Sequence, residues 1–347
     1  MSPASGAAPS EAETSGKASS PATAGDGVRF VGPERDAFRG AVLGWYRREG
    51  RRLPFRGTTD PYLVLVSETI LQQTQVSRGA PAWLAFTARF PTVETLAAAS
   101  PADVLRAWQG LGYNRRAINL RRAAVMVVDE LGGRFPTDLA GLERLPGVGP
   151  YTARAVASIA YGRPVGAVDT NVRRVLGRAI AGDAAGLTRS DLQATADALA
   201  QVDRPADWTA ALMDLGSTVC RPRLPLCGAC PIAELCRFAG RTSAAAAPSF
   251  VPRALAIRER PAPFHRSSRW LRGRILDRLR EVESDDWDVF DEAIGEHDRA
   301  AVAGALHVLA GEALIELAPH GDPASSADSA AGSRRSSLPL RARLPLV

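Results

Sequence analysis

The chain has 347 residues, 46% of them hydrophobic and 23% charged, and a formal net charge of +6 at pH 7. That is enough apolar chain for about two domains with cores of their own, which excludes a disordered or fibrous protein. The positive balance favours a polyanionic partner, nucleic acid first, and no apolar stretch is long enough to span a bilayer.

Residues 1–28 hold no basic start followed by an apolar run, so they are expected to carry no targeting segment and to form a disordered tail. From Phe30 onward apolar residues recur at helical spacing, with almost no sustained alternation before the last residues, and the body is expected to be all-α. A first helix places Phe38, Val42 and Trp45 on one face. The second is predicted from Pro61 to about Val76, with Asp60 as cap and Pro61 near its start. It carries Glu68 among Leu65, Val66, Ile70 and Leu71. A glutamate with such neighbours has its charged form disfavoured, keeps a proton at neutral pH and can serve as a general acid. Gln72, Gln73, Thr74 and Gln75 follow; amides and a hydroxyl are poor core material but pair well with nucleobase edges. Further helices are predicted over 104–109, 115–131, 139–145, 151–160, 172–180 and 189–200.

Between two of these helices stands Leu145-Pro146-Gly147-Val148-Gly149. Gly147 and Gly149 tolerate positive φ and close backbone approach, so N–H groups at the next helix start can hold a DNA phosphate without reading sequence. Asp169, in "AVDTNVRRVLGR", precedes another helix, whose dipole and free N–H groups favour its charged form facing a positive transition state. All four cysteines, Cys220, Cys227, Cys230 and Cys236, lie in "CRPRLPLCGACPIAELC". Four soft thiolates so close in sequence suit one metal centre, either tetrahedral zinc or an iron–sulfur cube. Arg221 and Arg223, between the first two of them, are placed to meet backbone phosphate if the loop is stiffened.

A linker is expected over 241–262 and a small module over 263–347, with a low-complexity insertion at 320–336. "SSRWLRGRILDRLREV" puts Trp270, Leu271, Ile275, Leu279 and Val282 on one helical face, and a second helix carries Val302, Leu306 and Leu309. "SLPLRARLPLV" then alternates in the strand period. Two helices, a strand and a possible wing suggest a winged-helix-like module.

The stretches "LPFR", "DPYLVLVSETILQQTQV", "WQGLGYNRRAINL", "LPGVGPYTARA", "AVDTNVRRVLGR", "ALMDLGSTVC" and the cysteine loop, in this order, resemble the adenine DNA glycosylases of the MutY type. These belong to the helix-hairpin-helix superfamily that also contains endonuclease III. The resemblance implies two helical lobes over 29–240 and a structural [4Fe-4S] cluster on the loop 220–236. It implies that Glu68 protonates an extruded adenine and activates water, while Asp169 stabilises the sugar oxocarbenium ion. Tyr151, Asn171 and Tyr113 match positions lining the base pocket or intercalation site, and Gln72 and Gln73 match residues near the flipped base and its partner. Relatives that also cleave the backbone carry a nucleophilic lysine where this chain has Tyr151, and a phenol cannot form a Schiff base. The implied activity is therefore a monofunctional glycosylase leaving an abasic site in duplex DNA that holds a mispaired or damaged base. The setting expected for it is a monomer in the bacterial cytoplasm, on the nucleoid when bound to DNA.

The chain departs from the family where substrate is chosen. Asn114 and Thr170 stand where "GLGYY" and "VDGNV" are usual, Phe55 replaces a tryptophan, and the β-rich C-terminal domain that recognises 8-oxoguanine opposite adenine is not evident. Adenine opposite guanine or 8-oxoguanine is the leading expectation. A glycosylase for mispaired hypoxanthine, uracil or thymine is the same-fold alternative, and a catalytically silent iron–sulfur DNA-binding protein the alternative of another class.

Overall fold

The computed structural model describes residues 32–239, 263–282, 286–318 and 340–346. The expected tail at 1–28, linker at 241–262 and insertion at 320–336 lie outside the described residues.

The helices run α1 (Pro33–Glu49), α2 (Pro61–Leu71), α3 (Val76–Arg89), α4 (Val93–Ala98), α5 (Pro101–Ala107), α6 (Arg115–Asp129), α7 (Leu139–Glu143), α8 (Pro150–Tyr161), α9 (Thr170–Leu176), α10 (Arg189–Leu199) and α11 (Pro205–Asp214). Short polar side chains set many of the starts. Asp60, Thr92, Ser100, Asp138, Asp169 and Thr188 each accept a backbone N–H in the first turn of the helix they precede.

Two cores result. α1, α9, α10 and α11 close around Phe38, Val42, Ile180, Trp208 and Leu215. α2 to α8 close around Ile70, Phe86, Leu96, Trp108 and Val156, with the Phe86 ring edge-on to Phe90 and Trp108. The chain is therefore mostly helical and built as two lobes, in line with the expectation from sequence.

The second helix is shorter than expected. It stops at Leu71, Gln73 takes φ 56°, and α3 starts anew at Val76. The apolar run ends there, and the Arg116 guanidinium takes over the free carbonyls of Thr69, Ile70 and Gln72 at 2.7, 3.2 and 2.5 Å. Both α9 and α11 continue into a single π turn, Gly177–Ala181 and Leu215–Val219 respectively, and the second turn delivers Cys220.

The C-terminal part holds α12 (Ser268–Glu281), β1 (Asp288–Phe290), α13 (Arg299–Gly311), β2 (Glu316–Leu317) and β3 (Leu340–Arg343). The three strands form an antiparallel sheet in the order β1-β3-β2, with Val289 opposite Arg341 and Leu317 opposite Ala342. β1 and β2 are too short, at three and two residues, to show a period in the sequence. Leu271, Ile275, Leu279, Leu306 and Leu309 belong to the same continuous core as α2 to α8. Val282 ends the helix as its C-cap and gives its carbonyl to Arg106 at 3.1 Å. Polar contacts weld the seam: the Arg280 guanidinium donates to the Leu105 carbonyl at 3.0 Å and to Asn114 Oδ1 at 2.6 Å, and the Ala102 N–H donates to the Pro345 carbonyl at 3.0 Å.

Candidate active site

α2 is buried almost all round, and its Ser67 and Thr69 hydroxyls satisfy themselves on the carbonyls of Val64 and Leu65. In that setting Glu68 is only 8% exposed. Tyr151, in the first turn of α8, donates its hydroxyl to Glu68 Oε2 at 2.8 Å. Burial raises the Glu68 pKa above the usual carboxylate range; the Tyr151 hydrogen bond and the nearby Arg56 pull it back, and Asp169 pushes it up again. Burial first, then the charge of Glu68, also pushes the Tyr151 phenol well up, so it remains a donor.

Asp169 faces the same cleft from the other lobe. It caps α9: Oδ1 accepts the Val172 N–H at 2.7 Å and Oδ2 accepts the Asn171 side-chain amide at 2.8 Å. The carboxylate is thereby held in one orientation. Asn171 Oδ1 in turn accepts from Arg174 at 2.7 Å, and Arg174 also reaches the carbonyls of Gly216 at 2.6 Å and Cys220 at 2.7 Å. A continuous chain of hydrogen bonds thus joins the Asp169 carboxylate to the cysteine loop. Gly216 is required at that crossing, since a Cβ there would stand 2.6 Å from Asn171 Cβ.

Glu68, Tyr151, Asp169, Asn171, Gly149, Gln72 and Gln73 all line one cleft of about 870 Å³, within the usual span of small-ligand sites. Its two carboxylates come from opposite lobes, one with its pKa raised by burial and one fixed by donors. That pairing can protonate a leaving group and counter a positive charge on a sugar.

The remaining predicted residues surround this cleft. Gln72 sits within 3.5 Å of the Thr152 hydroxyl. Gln73 and Tyr113, with φ of 56° and 47°, both adopt a backbone that is costly for a residue with a side chain. Gly147 takes φ 81° at the turn before α8, whereas Gly149 has φ −98° and serves as the helix cap. Arg221 and Arg223 are both exposed on the cysteine loop.

The four cysteines are free of disulfides and line one small cavity beside Arg178, Leu226 and Phe238. Among the described residues no group of three or more His, Cys, Asp or Glu side chains is close enough to hold a metal ion. Arg178 braces the loop, donating to Cys220 Sγ at 3.4 Å and to the carbonyls of Arg221 and Pro222 at 2.8 Å each. A set of four soft donors around one cavity suits an iron–sulfur cube in kind, and the guanidinium beside Cys220 would offset the charge of a thiolate.

Sequence reading missed the polar scaffold. Asp214 is fully buried and takes the Arg51 N–H at 2.9 Å, the Arg51 guanidinium at 2.6 and 3.0 Å, and Arg56 at 3.1 Å. This fixes the loop that carries Arg56 beside Glu68. Arg116 likewise binds both the end of α2 and the carbonyls of Leu111 and Gly112 at 3.2 Å each, tying the Gln73 and Tyr113 loops together. Asp214 lies more than 150 residues from its two arginines, and Arg116 more than 40 from the end of α2, so no local spacing reveals these pairings.

Residues 66–198 match the family described as HhH-GPD superfamily base excision DNA repair protein. The adenine DNA glycosylase of Mycolicibacterium smegmatis is 40% identical over 283 residues, covering 81% of this chain and 93% of that protein. The human adenine DNA glycosylase is 44% identical over 216 residues, 59% of this chain and 40% of that one. Among solved structures, a thermostable thymine-DNA glycosylase superposes with a TM-score of 0.57 at 29% identity, covering 60% of this chain and 97% of that chain.

Proposed function

From the premise that this chain belongs to the adenine DNA glycosylase family, within the HhH-GPD superfamily of base excision repair proteins, we propose that its cleft removes adenine mispaired with guanine or 8-oxoguanine in duplex DNA. The observation that carries the reading is the buried Glu68, hydrogen-bonded to Tyr151 and opposed across the cleft by the capped Asp169.

The chemistry follows from those groups. The glycosidic bond is out of reach inside a stacked duplex, so the adenine must leave the helix, which costs less where it is mispaired. Protonated Glu68 gives its proton to a ring nitrogen of the base as the C–N bond breaks and its electron pair departs with adenine. The sugar cation left behind faces the fixed Asp169 carboxylate. Glu68, now ionised, takes a proton from the water that attacks the sugar, leaving an abasic site. Tyr151 has no amine with which to form a Schiff base, so the backbone stays intact.

In the same reading Cys220, Cys227, Cys230 and Cys236 hold a [4Fe-4S] cluster, which when bound braces the loop carrying Arg221 and Arg223. Residues 29–240 form the glycosylase domain, and 263–347 a winged-helix-like module, supported by its α-β-α-β-β order. The protein acts as a monomer in the bacterial cytoplasm, on the nucleoid; no helix among the described residues is long and apolar enough to cross a membrane.

The test is single-turnover base release on labelled duplexes with adenine opposite 8-oxoguanine, guanine or cytosine, beside hypoxanthine, uracil and thymine mismatches. The expected outcome is adenine release opposite 8-oxoguanine and guanine, reduced about 10²–10⁴-fold in Glu68→Gln, as for loss of a general acid, and strongly in Asp169→Asn. Release of another base alone would sink the substrate assignment. Protein purified anaerobically should contain about four irons per chain; stoichiometric zinc in their place would overturn the cluster.

A further inference from the structure

Glu68 borders two spaces. Besides the active-site cleft there is a cavity of about 340 Å³, and Phe55, Arg56, Glu68, Leu71 and Met213 line both. Its position follows from the packing of three helices. α2 and α11 both pack on α8, and the cavity separates a stripe of each, Val64, Glu68 and Leu71 on one and Ala206, Ala210 and Met213 on the other. The two alanines, whose side chains end at Cβ, leave the gap open. At its outer end the cavity reaches solvent beside Gly57, Thr59, Gly162, Asp203 and Arg204, all exposed. Arg204 is paired with Asp207 at 2.8 Å, so the mouth keeps the negative charge of Asp203 and repels a phosphate backbone.

Two polar atoms on the shared wall lack protein partners. Glu68 Oε2 accepts from Tyr151, whereas Oε1 has no donor among the described residues. Arg56 Nε is buried without an acceptor. Polar atoms in that position are satisfied by ordered water, and the cavity has room for several molecules.

The excision chemistry consumes such a molecule. In each turnover the C–N bond breaks and a C–O bond forms. The Glu68 proton leaves with adenine, and Glu68 recovers one from the attacking water, so the net uptake is one water and no proton. A duplex lying over the active-site cleft closes that side to solvent, while the cavity keeps Glu68 in contact with it. We propose that this cavity is the water inlet of the reaction, entered beside Thr59 and Asp203 and leading between α2 and α11 to Glu68 Oε1. The inference rests on the adenine-excision reading, which supplies the need for water.

The test is single-turnover excision by the full-length protein on a duplex with adenine opposite 8-oxoguanine, in buffer containing methanol, with the abasic site and the methyl glycoside quantified separately. Methanol needs a wider passage than water, so narrowing the inlet acts on it first. Ala210→Leu, one turn from Met213 and outside the active-site cleft, should lose most of the methyl glycoside relative to the abasic product and release adenine more slowly. Its affinity for a duplex carrying non-hydrolysable 2′-fluoro-2′-deoxyadenosine should match the parent's. A variant that is merely less stable would lower both products in proportion. Should Ala210→Leu not fold, Ala206→Phe narrows the passage at a half-buried position nearer the mouth. An unchanged product ratio in a folded variant, whatever its rate, would overturn the inlet and leave the proposed function standing. A parent protein that releases no adenine would refute that function, and the inlet with it.

Discussion

Glu68 illustrates how one side chain couples burial to chemistry. Its pKa is raised in the folded protein, so between the ordinary glutamate value, about 4.3, and that raised value the folded chain holds a proton that the unfolded chain has released. Unfolding free energy therefore falls as pH rises through this window. Glu68→Gln removes the effect: the variant should melt increasingly higher than the parent from about pH 4 towards neutrality, and the gap should be constant below that range. In the proposed excision the same proton is the reagent, and the parent's excision rate should fall as pH rises through the folded value. Tyr151→Phe deletes a donor that pulls Glu68 down, so the alkaline limb of its single-turnover profile should move to higher pH, with the plateau lowered about tenfold for one lost hydrogen bond. A limb moved to lower pH would contradict the arrangement. Glu68 and Asp169 were legible because an acid in an apolar run and an acid before a helix are local signals. Asp214 was not, because its meaning lies in Arg51 and Arg56, some 160 residues away in the chain.

At the scale of elements, the turn before α8 depends on one backbone angle. Gly147 has φ 81°, and a Cβ there would lie 2.8 Å from Asn119 Cβ. Gly147→Ala should cost about 1–3 kcal/mol in stability and weaken DNA binding, checked by thermal melts and by titration with a duplex. A variant as stable as the parent would mean that the turn relaxes freely. Most helices were readable because caps and apolar spacing mark them locally. The overrun of α2 shows the limit: Gln72 to Gln75 contain no breaker, and the helix stops because Arg116 from α6 takes its last carbonyls. β1 and β2 carry no period of their own and exist because β3 pairs with both.

For the whole molecule, the C-terminal module is continuous with the lobe of α2 to α8. Arg280, its side chain 6% exposed, bridges Asp277, the Leu105 carbonyl and Asn114. Arg280→Ala leaves Asp277 and Asn114 without this donor and should cost about 3 kcal/mol, seen as a lower urea midpoint with one transition in the parent. Asn114, at one of the departures from the resembled family, accepts from the Arg280 guanidinium at 2.6 Å. Unfolding of the module apart from the lobe, with the Arg280 variant unchanged, would show the seam to be weak.

The sequence by itself determined the helical class, the two candidate carboxylates and the cysteine loop, because each is written in side chains that are near neighbours in the chain. The tertiary structure alone decided that the two carboxylates share one cleft, that Tyr151 holds Glu68, and that a second cavity between α2 and α11 reaches the same glutamate. Those facts depend on residues brought together from opposite lobes or opposite ends of the chain, and long-range packing leaves no local period to read.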